Sequence, residues 1–120
     1  MPYRHILLVE DDIDDQFLFQ EALKKIAPDS ICTIANDGQE ALKKLQNVTP
    51  DIIFSDINLP ILNGIELLTE ISQKSDHVPI IIMSTSTYEE EKVLELGADF
   101  FFVKPIVFEA LCQQLQKLLG

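Results

Sequence analysis

The chain has 120 residues, 47% hydrophobic and 24% charged, the make-up of one globular domain able to bury a core without staples. Its formal net charge of -11 argues against nucleic acid or an anionic membrane as partner and favours a divalent cation or a protein with a basic face. No apolar stretch is long enough to span a membrane and no signal peptide opens the chain, so a cytoplasmic protein is expected. Cys32 and Cys112 lie in separate segments without metal-ligand spacing and read as two buried thiols in a reducing compartment.

Five short apolar runs alternate with five helical patterns. Ile6-Leu7-Leu8-Val9 is the first run, and it exits into Glu10, Asp11 and Asp12. The first helix is predicted with Phe17, Leu18, Ala22 and Ile26 on one face, closed by Pro28-Asp29. The second run covers residues 31–35 and exits into Asn36 and Asp37-Gly38; Ala41, Leu42 and Leu45 mark the helix after it. Pro50-Asp51 turns the chain into Ile52-Ile53-Phe54, which stops at Ser55 and Asp56, with Asn58 two residues beyond. Asn63-Gly64 starts a third helix carrying Ile65, Leu68 and Ile71. Pro79 precedes Ile80-Ile81-Ile82-Met83, whose exit is hydroxyl-rich: Ser84, Thr85, Ser86. Val93 and Leu96 mark the fourth helix, which ends at Gly97. The last run, Phe100-Phe101-Phe102-Val103, exits into Lys104-Pro105, and the fifth helix repeats at Phe108, Leu111, Leu115 and Leu118.

Most of these runs lack in-out alternation, which is how strands buried on both faces read. Strict β-α alternation with short links predicts an α/β fold, a parallel sheet covered by helices on both faces with right-handed crossovers. Ligands of such sheets bind beyond the carboxyl ends of the strands, where strand order reverses. In the order 2-1-3-4-5 the first and third strands are neighbours there, which brings Glu10, Asp11 and Asp56 together.

Three converging carboxylates repel one another unless a cation joins them. A hard divalent ion held by oxygen ligands resolves the repulsion, and Mg²⁺ suits one or two carboxylates, a carbonyl and waters. With Lys104 as a point charge and a hydroxyl at the fourth strand exit, the set fits a phosphoryl group carried on Asp56. Each member also has a plainer reading. The first acids could cap the first helix, a role assigned to Asp12 or Asp14. The hydroxyls of residues 84–87 could cap the fourth helix, and Lys104 could be a surface lysine. Glu89-Glu90-Glu91 reads as a solvated first turn, and neither His5 nor His77 sits where a phosphohistidine or metal ligand is needed.

The segments "ILLVEDD", "DIIFSDINLPILNG", "PIIIMST" and "GADFFFVKP" resemble the response-regulator receiver domain in identity, order and spacing, over the whole chain. The resemblance implies a flavodoxin-like doubly wound (βα)5 fold, a two-component or phosphorelay switch, and phosphoryl transfer from a histidine kinase or histidine phosphotransfer protein. It implies Asp56 as phosphoacceptor, Glu10 and Asp11 as the acidic pair for Mg²⁺ (with Mn²⁺ as substitute), and the Asn58 backbone carbonyl as a further ligand. Lys104 matches the family lysine before proline, with a cis bond to Pro105. Ser84 matches the switch hydroxyl, with Thr85 or Ser86 as fallback, and Phe101 matches the aromatic that follows it inward. Asn58 and Ser86 flank the phosphoryl site and would tune its lifetime.

The chain departs from the family in two places. The segment from Ser84 to Gly97 is about two residues shorter than usual, which predicts a trimmed fourth helix or a trimmed loop before it. Phe101 replaces the commoner tyrosine and carries no hydroxyl to report its position. Residues 1–120 read as a receiver domain with no effector domain, expected to act on a protein partner through the fourth helix, fifth strand and fifth helix and not on DNA. Three other readings compete. An aspartyl phosphohydrolase usually has an acid where Asn58 stands, and a flavin module needs a hydroxyl- or glycine-rich loop where three acids stand. A degenerate receiver that binds partners without phosphorylation is opposed by the intact set Glu10, Asp11, Asp56, Ser84 and Lys104.

Overall fold

The computed structural model describes residues 3–73 and 78–120; His77 lies outside the described residues. The strands are β1 (His5–Val9), β2 (Ile31–Ala35), β3 (Ile52–Asp56), β4 (Ile80–Ser84) and β5 (Phe100–Val103). Helices α1 (Ile13–Ile26), α2 (Gly38–Leu45), α3 (Gly64–Ser72), α4 (Glu90–Glu95) and α5 (Phe108–Leu119) alternate with them. All strand pairs are parallel, in the order β2-β1-β3-β4-β5. This is the predicted flavodoxin-like sheet, and its reversal point lies between β1 and β3.

The sheet divides the core in two. One half holds Leu7, Val9, Ile53, Ile82 and Phe101 with Ala41, Leu67, Leu68 and Val93 from α2, α3 and α4. The other holds Ile6, Leu8, Phe54, Met83 and Phe102 with Phe19, Leu23, Cys112 and Leu115 from α1 and α5. Successive residues of a strand point to opposite faces. That is why β1, β3 and β4 read as unbroken apolar runs: both of their faces are covered by helices. In the second half Phe54 meets Phe19 and Phe102 edge to face, with ring centroids 5.1 and 6.5 Å apart, a favoured aromatic geometry.

The phase of α1 differs from the sequence expectation. Its buried residues are Phe19, Ala22 and Leu23, whereas Phe17 is 61% exposed and Leu18 43% exposed. Two adjacent large apolar residues, Phe17 and Leu18, pulled the predicted face round by roughly a residue's 100°. The N-cap is Asp12, whose side chain accepts from the Asp15 amide.

Helix α4 is the shortest of the described helices, six residues with Val93 buried. The hydroxyl run does not cap it. Glu89 is the N-cap and makes no side-chain cap bond, while the Ser86 hydroxyl accepts from the Tyr88 amide at 3.4 Å. Residues 85–89 intervene between strand and helix, so the hydroxyls fall too early to reach the first turn. Both cysteines are free; Cys112 is buried and Cys32 partly so, and burial pushes the Cys32 thiol up to about 11. No helix among the described residues is long and apolar enough to cross a membrane.

The loop from β3 to α3 contains a strained position. Ile61 has φ 65°, and the Leu62 amide donates to the Pro60 carbonyl across it at 2.7 Å, the signature of a tight γ-turn. A β-branched residue in this region is costly, and Ile61 is 75% exposed, so burial does not offset the strain. Ile61→Gly should therefore stabilise the fold by about 1 kcal/mol. Urea denaturation of the two proteins side by side measures it, and a destabilised glycine variant would contradict the strain argument.

Candidate functional site

The parallel topology places every strand exit on one edge, and three of them build the site. Glu10 directly follows β1 and is fixed by its own amide, which donates to the Ala35 carbonyl of β2 at 3.0 Å. Asp56 is the last residue of β3 and is 7% exposed. Lys104 directly follows β5, and its amide donates to the Ser84 carbonyl at 2.7 Å. Glu10, Asp11 and Asp56 each present a carboxylate oxygen within 4.8 Å of the others. An all-oxygen, carboxylate-rich donor set of this size fits a hard divalent cation.

The Lys104 ammonium lies across these acids. It donates to Glu10 Oε1 at 2.7 Å, to Asp56 Oδ2 at 3.0 Å and to Asp15 Oδ2 at 3.1 Å. The second oxygen of Asp56 accepts from the Asn58 amide at 3.3 Å, and the second oxygen of Glu10 accepts from the Asp12 amide at 3.3 Å. Among the described residues no buried side-chain polar atom lacks a hydrogen-bond partner.

The electrostatics follow from burial and this one cation. Burial pushes the Glu10 carboxyl up to about 7; the Lys104 hydrogen bond opposes that shift and the Asp56 charge adds to it. For Lys104, burial alone would lower the ammonium, but its bonds to Glu10 and the charge of Asp56 raise it well above the ordinary lysine value. Lys104 stays charged at any physiological pH, while Glu10 takes up a proton more readily than an exposed glutamate.

Ser84 ends β4, buried, and its hydroxyl accepts from the Ser86 amide at 3.3 Å. Thr85, Ser86 and Asn58 are exposed at the rim. Phe101 is turned inward, 7% exposed, in the core half that includes Val93 and Ala98. The Lys104–Pro105 bond is not cis as expected: no cis peptide bond occurs among the described residues. The trans form is preferred by about 0.5–1 kcal/mol, and Lys104 reaches all three acids from it.

Two polar residues of the site escaped the sequence reading. Asp15 reaches Lys104, and the Gln16 side-chain Nε2 donates to the Glu10 backbone carbonyl at 2.6 Å and to Asn36 Oδ1 at 2.9 Å. The signal for Asp15 was the helical period. Counting back four residues from Leu23 and Phe19 lands on Asp15, at the sheet-facing end of the same stripe. With the stripe assigned to Phe17 and Leu18, nothing singled out Asp15.

The carboxyl edge also carries three exposed isoleucines, Ile13 at the start of α1, Ile61 before α3 and Ile106 after Lys104. Beside Gly64 the backbone comes very close. A β-carbon there would lie 2.5 Å from the Asp56 carbonyl oxygen and 2.6 Å from the Ile57 α-carbon, so glycine lets α3 start directly against the strand that presents Asp56. The Asn63-Glu66 capping box fixes that start.

Comparison with known proteins agrees with the architecture. The sequence model "Response regulator receiver domain" matches residues 6–116. The transcriptional regulatory protein PrrA of Mycobacterium leprae is 34% identical over 116 residues, which are 95% of this chain and 49% of that protein. This chain spans about half the length of the curated relatives it matches, or less. The phosphorylated cyanobacterial phytochrome response regulator RcpA superposes with a TM-score of 0.87 at 29% identity, covering 97% of this chain and 91% of that one. The receiver domain of the sensor histidine kinase PA1611 of Pseudomonas aeruginosa, with magnesium in its active-site cleft, superposes at 0.82 with 28% identity, covering 98% of each.

Proposed function

Because the chain belongs to the response regulator receiver domain family, the phosphorylation-based switches of two-component signalling, we propose that Asp56 is its phosphoacceptor. The observation that carries this reading is Asp56 at the end of β3, between Lys104 and the carboxylates of Glu10 and Asp11. A Mg²⁺ ion, or Mn²⁺ in its place, would be held by Glu10, Asp11, Asp56 and the Asn58 carbonyl, and would neutralise phosphoryl oxygens.

Asp56 attacks phosphorus with a carboxylate oxygen. A P–N bond breaks when the donor is a phosphohistidine, and a P–O bond breaks when it is acetyl phosphate, with acetate leaving. Lys104 donates an N–H bond to a phosphoryl oxygen and neutralises it. Ser84 offers a hydroxyl to the same oxygens, while Asn58 and Ser86 stand at the rim, where attacking water must pass. Ser84 and Phe101 lie on the paired strands β4 and β5, so a change at the hydroxyl reaches the face formed by α4, β5 and α5, where a protein target would read it. The exposed isoleucines at the carboxyl edge suit a histidine-bearing protein partner as donor. The chain's own chemistry is limited to accepting the phosphoryl group and losing it to water.

Intact-mass measurement after incubation with acetyl phosphate tests this. One added phosphoryl group is expected, dependent on Mg²⁺ and absent from Asp56→Asn. A wild-type protein that binds neither Mg²⁺ nor a phosphoryl group would overturn the reading in favour of a plain protein-binding module. An adduct that survives in Asp56→Asn would move the acceptor elsewhere.

A further inference from the structure

We infer that Asp15 is a positioning residue that restrains Lys104, and through it the rate at which Asp56 accepts a phosphoryl group. The inference rests on Asp56 being the acceptor and concerns what limits it. A lysine ammonium has three N–H donors and no more. In this structure each goes to a carboxylate on a different element: Glu10 after β1, Asp56 on β3 and Asp15 on α1. The ammonium is saturated, so a phosphoryl oxygen gains a bond from Lys104 only when one of the three is released.

The three bonds are not equivalent. Glu10 is 2% exposed and its 2.7 Å bond is the shortest; releasing it would strand a buried carboxylate. Asp56 is the reacting group itself. The Asp15 bond is the longest at 3.1 Å, and its side chain is 43% exposed, so water can replace it at little cost. Asp15 thus occupies the donor that the incoming group requires. It also sets a negative charge beside an acceptor for an anion, already crowded by Glu10, Asp11 and Asp56. Both effects act in one direction, against the phosphoryl group. Lys104 has room to respond: a cavity of about 50 Å³ lies along it between α1 and α5, lined by Asp15, Leu18, Phe102, Lys104 and Leu111 among others.

An exposed ion pair adds little to stability, so the effect of Asp15 falls on rate and not on folding. Initial rates of phosphorylation by acetyl phosphate, read by intact mass at saturating Mg²⁺, test the inference with three proteins at low and high ionic strength. Asp15→Asn, nearly isosteric and uncharged, should react roughly 3- to 10-fold faster than wild type at low salt. The gap should narrow at high salt, where the charge is screened. Asp15→Glu, which keeps the charge, should stay at the wild-type rate. An Asp15→Asn rate at or below wild type, with unchanged urea denaturation, overturns the inference. So does equal acceleration in the glutamate variant, which would make the cause shape and not charge. A wild-type protein that takes up no phosphoryl group is a different failure, that of Asp56 as acceptor, and the inference falls with it.

Discussion

Lys104→Met is expected to be less stable than wild type by about 3 kcal/mol at pH 8 in metal-free buffer, with the deficit smaller by about 1 kcal/mol at pH 5. The reason is Glu10. Its carboxyl is 2% exposed and its Oε1 is bonded to Lys104, so without the ammonium it must either carry an unpaired charge beside Asp56 or take up a proton. The pH dependence follows from the direction of its shift. Burial raises the folded-state value from 4.5 to about 7, so between those limits the folded protein binds more protons than the unfolded chain. Stability in metal-free buffer therefore falls as pH rises through that window, already in wild type. In Lys104→Met both lowering influences of the lysine disappear, the folded value moves higher, and the loss continues beyond pH 7. Below about 4.5 the carboxyl is protonated in both states and contributes nothing. Urea denaturation at the two pH values with a chelator measures the difference. Added Mg²⁺ should restore part of it, because a cation again faces the acids. A deficit relative to wild type that is the same at both pH values would show that Lys104 does not set the titration of Glu10.

The second large effect is expected at Gly64. Gly64→Ala puts a methyl group 2.5 Å from the Asp56 carbonyl oxygen and 2.6 Å from the Ile57 α-carbon. Both are backbone atoms of the segment leaving β3, so no side-chain rotation relieves the contact. The start of α3 must move away, which breaks the bond from the Gly64 amide to the Ile57 carbonyl, 2.9 Å long. A destabilisation of about 2–3 kcal/mol is expected, together with a phosphorylation rate lowered at least roughly tenfold by displacement of Asp56. Asn63→Ala separates this from ordinary helix-start chemistry, since losing the cap should cost only about 1 kcal/mol. Equal losses in the two variants would reduce Gly64 to a helix-start residue.

Much of the fold was legible because strands covered on both faces leave an unambiguous mark. Residues 6–9, 52–54 and 80–83 are apolar throughout, and turn residues separate them from the helices. The sheet edge then gathers Glu10, Asp56 and Lys104 by topology alone, so the acids and the lysine could be named from order and spacing. The phase of α1 was not legible, because Phe17 and Leu18 are exposed apolar residues that mimic a core face. That one misreading hid Asp15. The position of the α4 N-cap and the trans bond before Pro105 were equally beyond a one-dimensional reading. They depend on how the loops after β4 and β5 settle against the finished sheet.

Helix α4 has a consequence for how little leverage the molecule needs. Six residues fall below the length at which a helix holds itself together, about 12–15, and Val93 is the buried anchor of α4. At its C-terminal end Leu96 packs against the same core, its carbonyl accepts from the Ser72 hydroxyl at 3.1 Å, and the Ala98 amide donates to the Val93 carbonyl at 3.0 Å. Local opening of such an element draws on a small part of the roughly 5–15 kcal/mol that holds a domain together. A tenfold shift in its population requires only about 1.4 kcal/mol, the scale of a single hydrogen bond gained or lost. Of the described helices, α4 is thus the one that a small change in free energy would displace most readily.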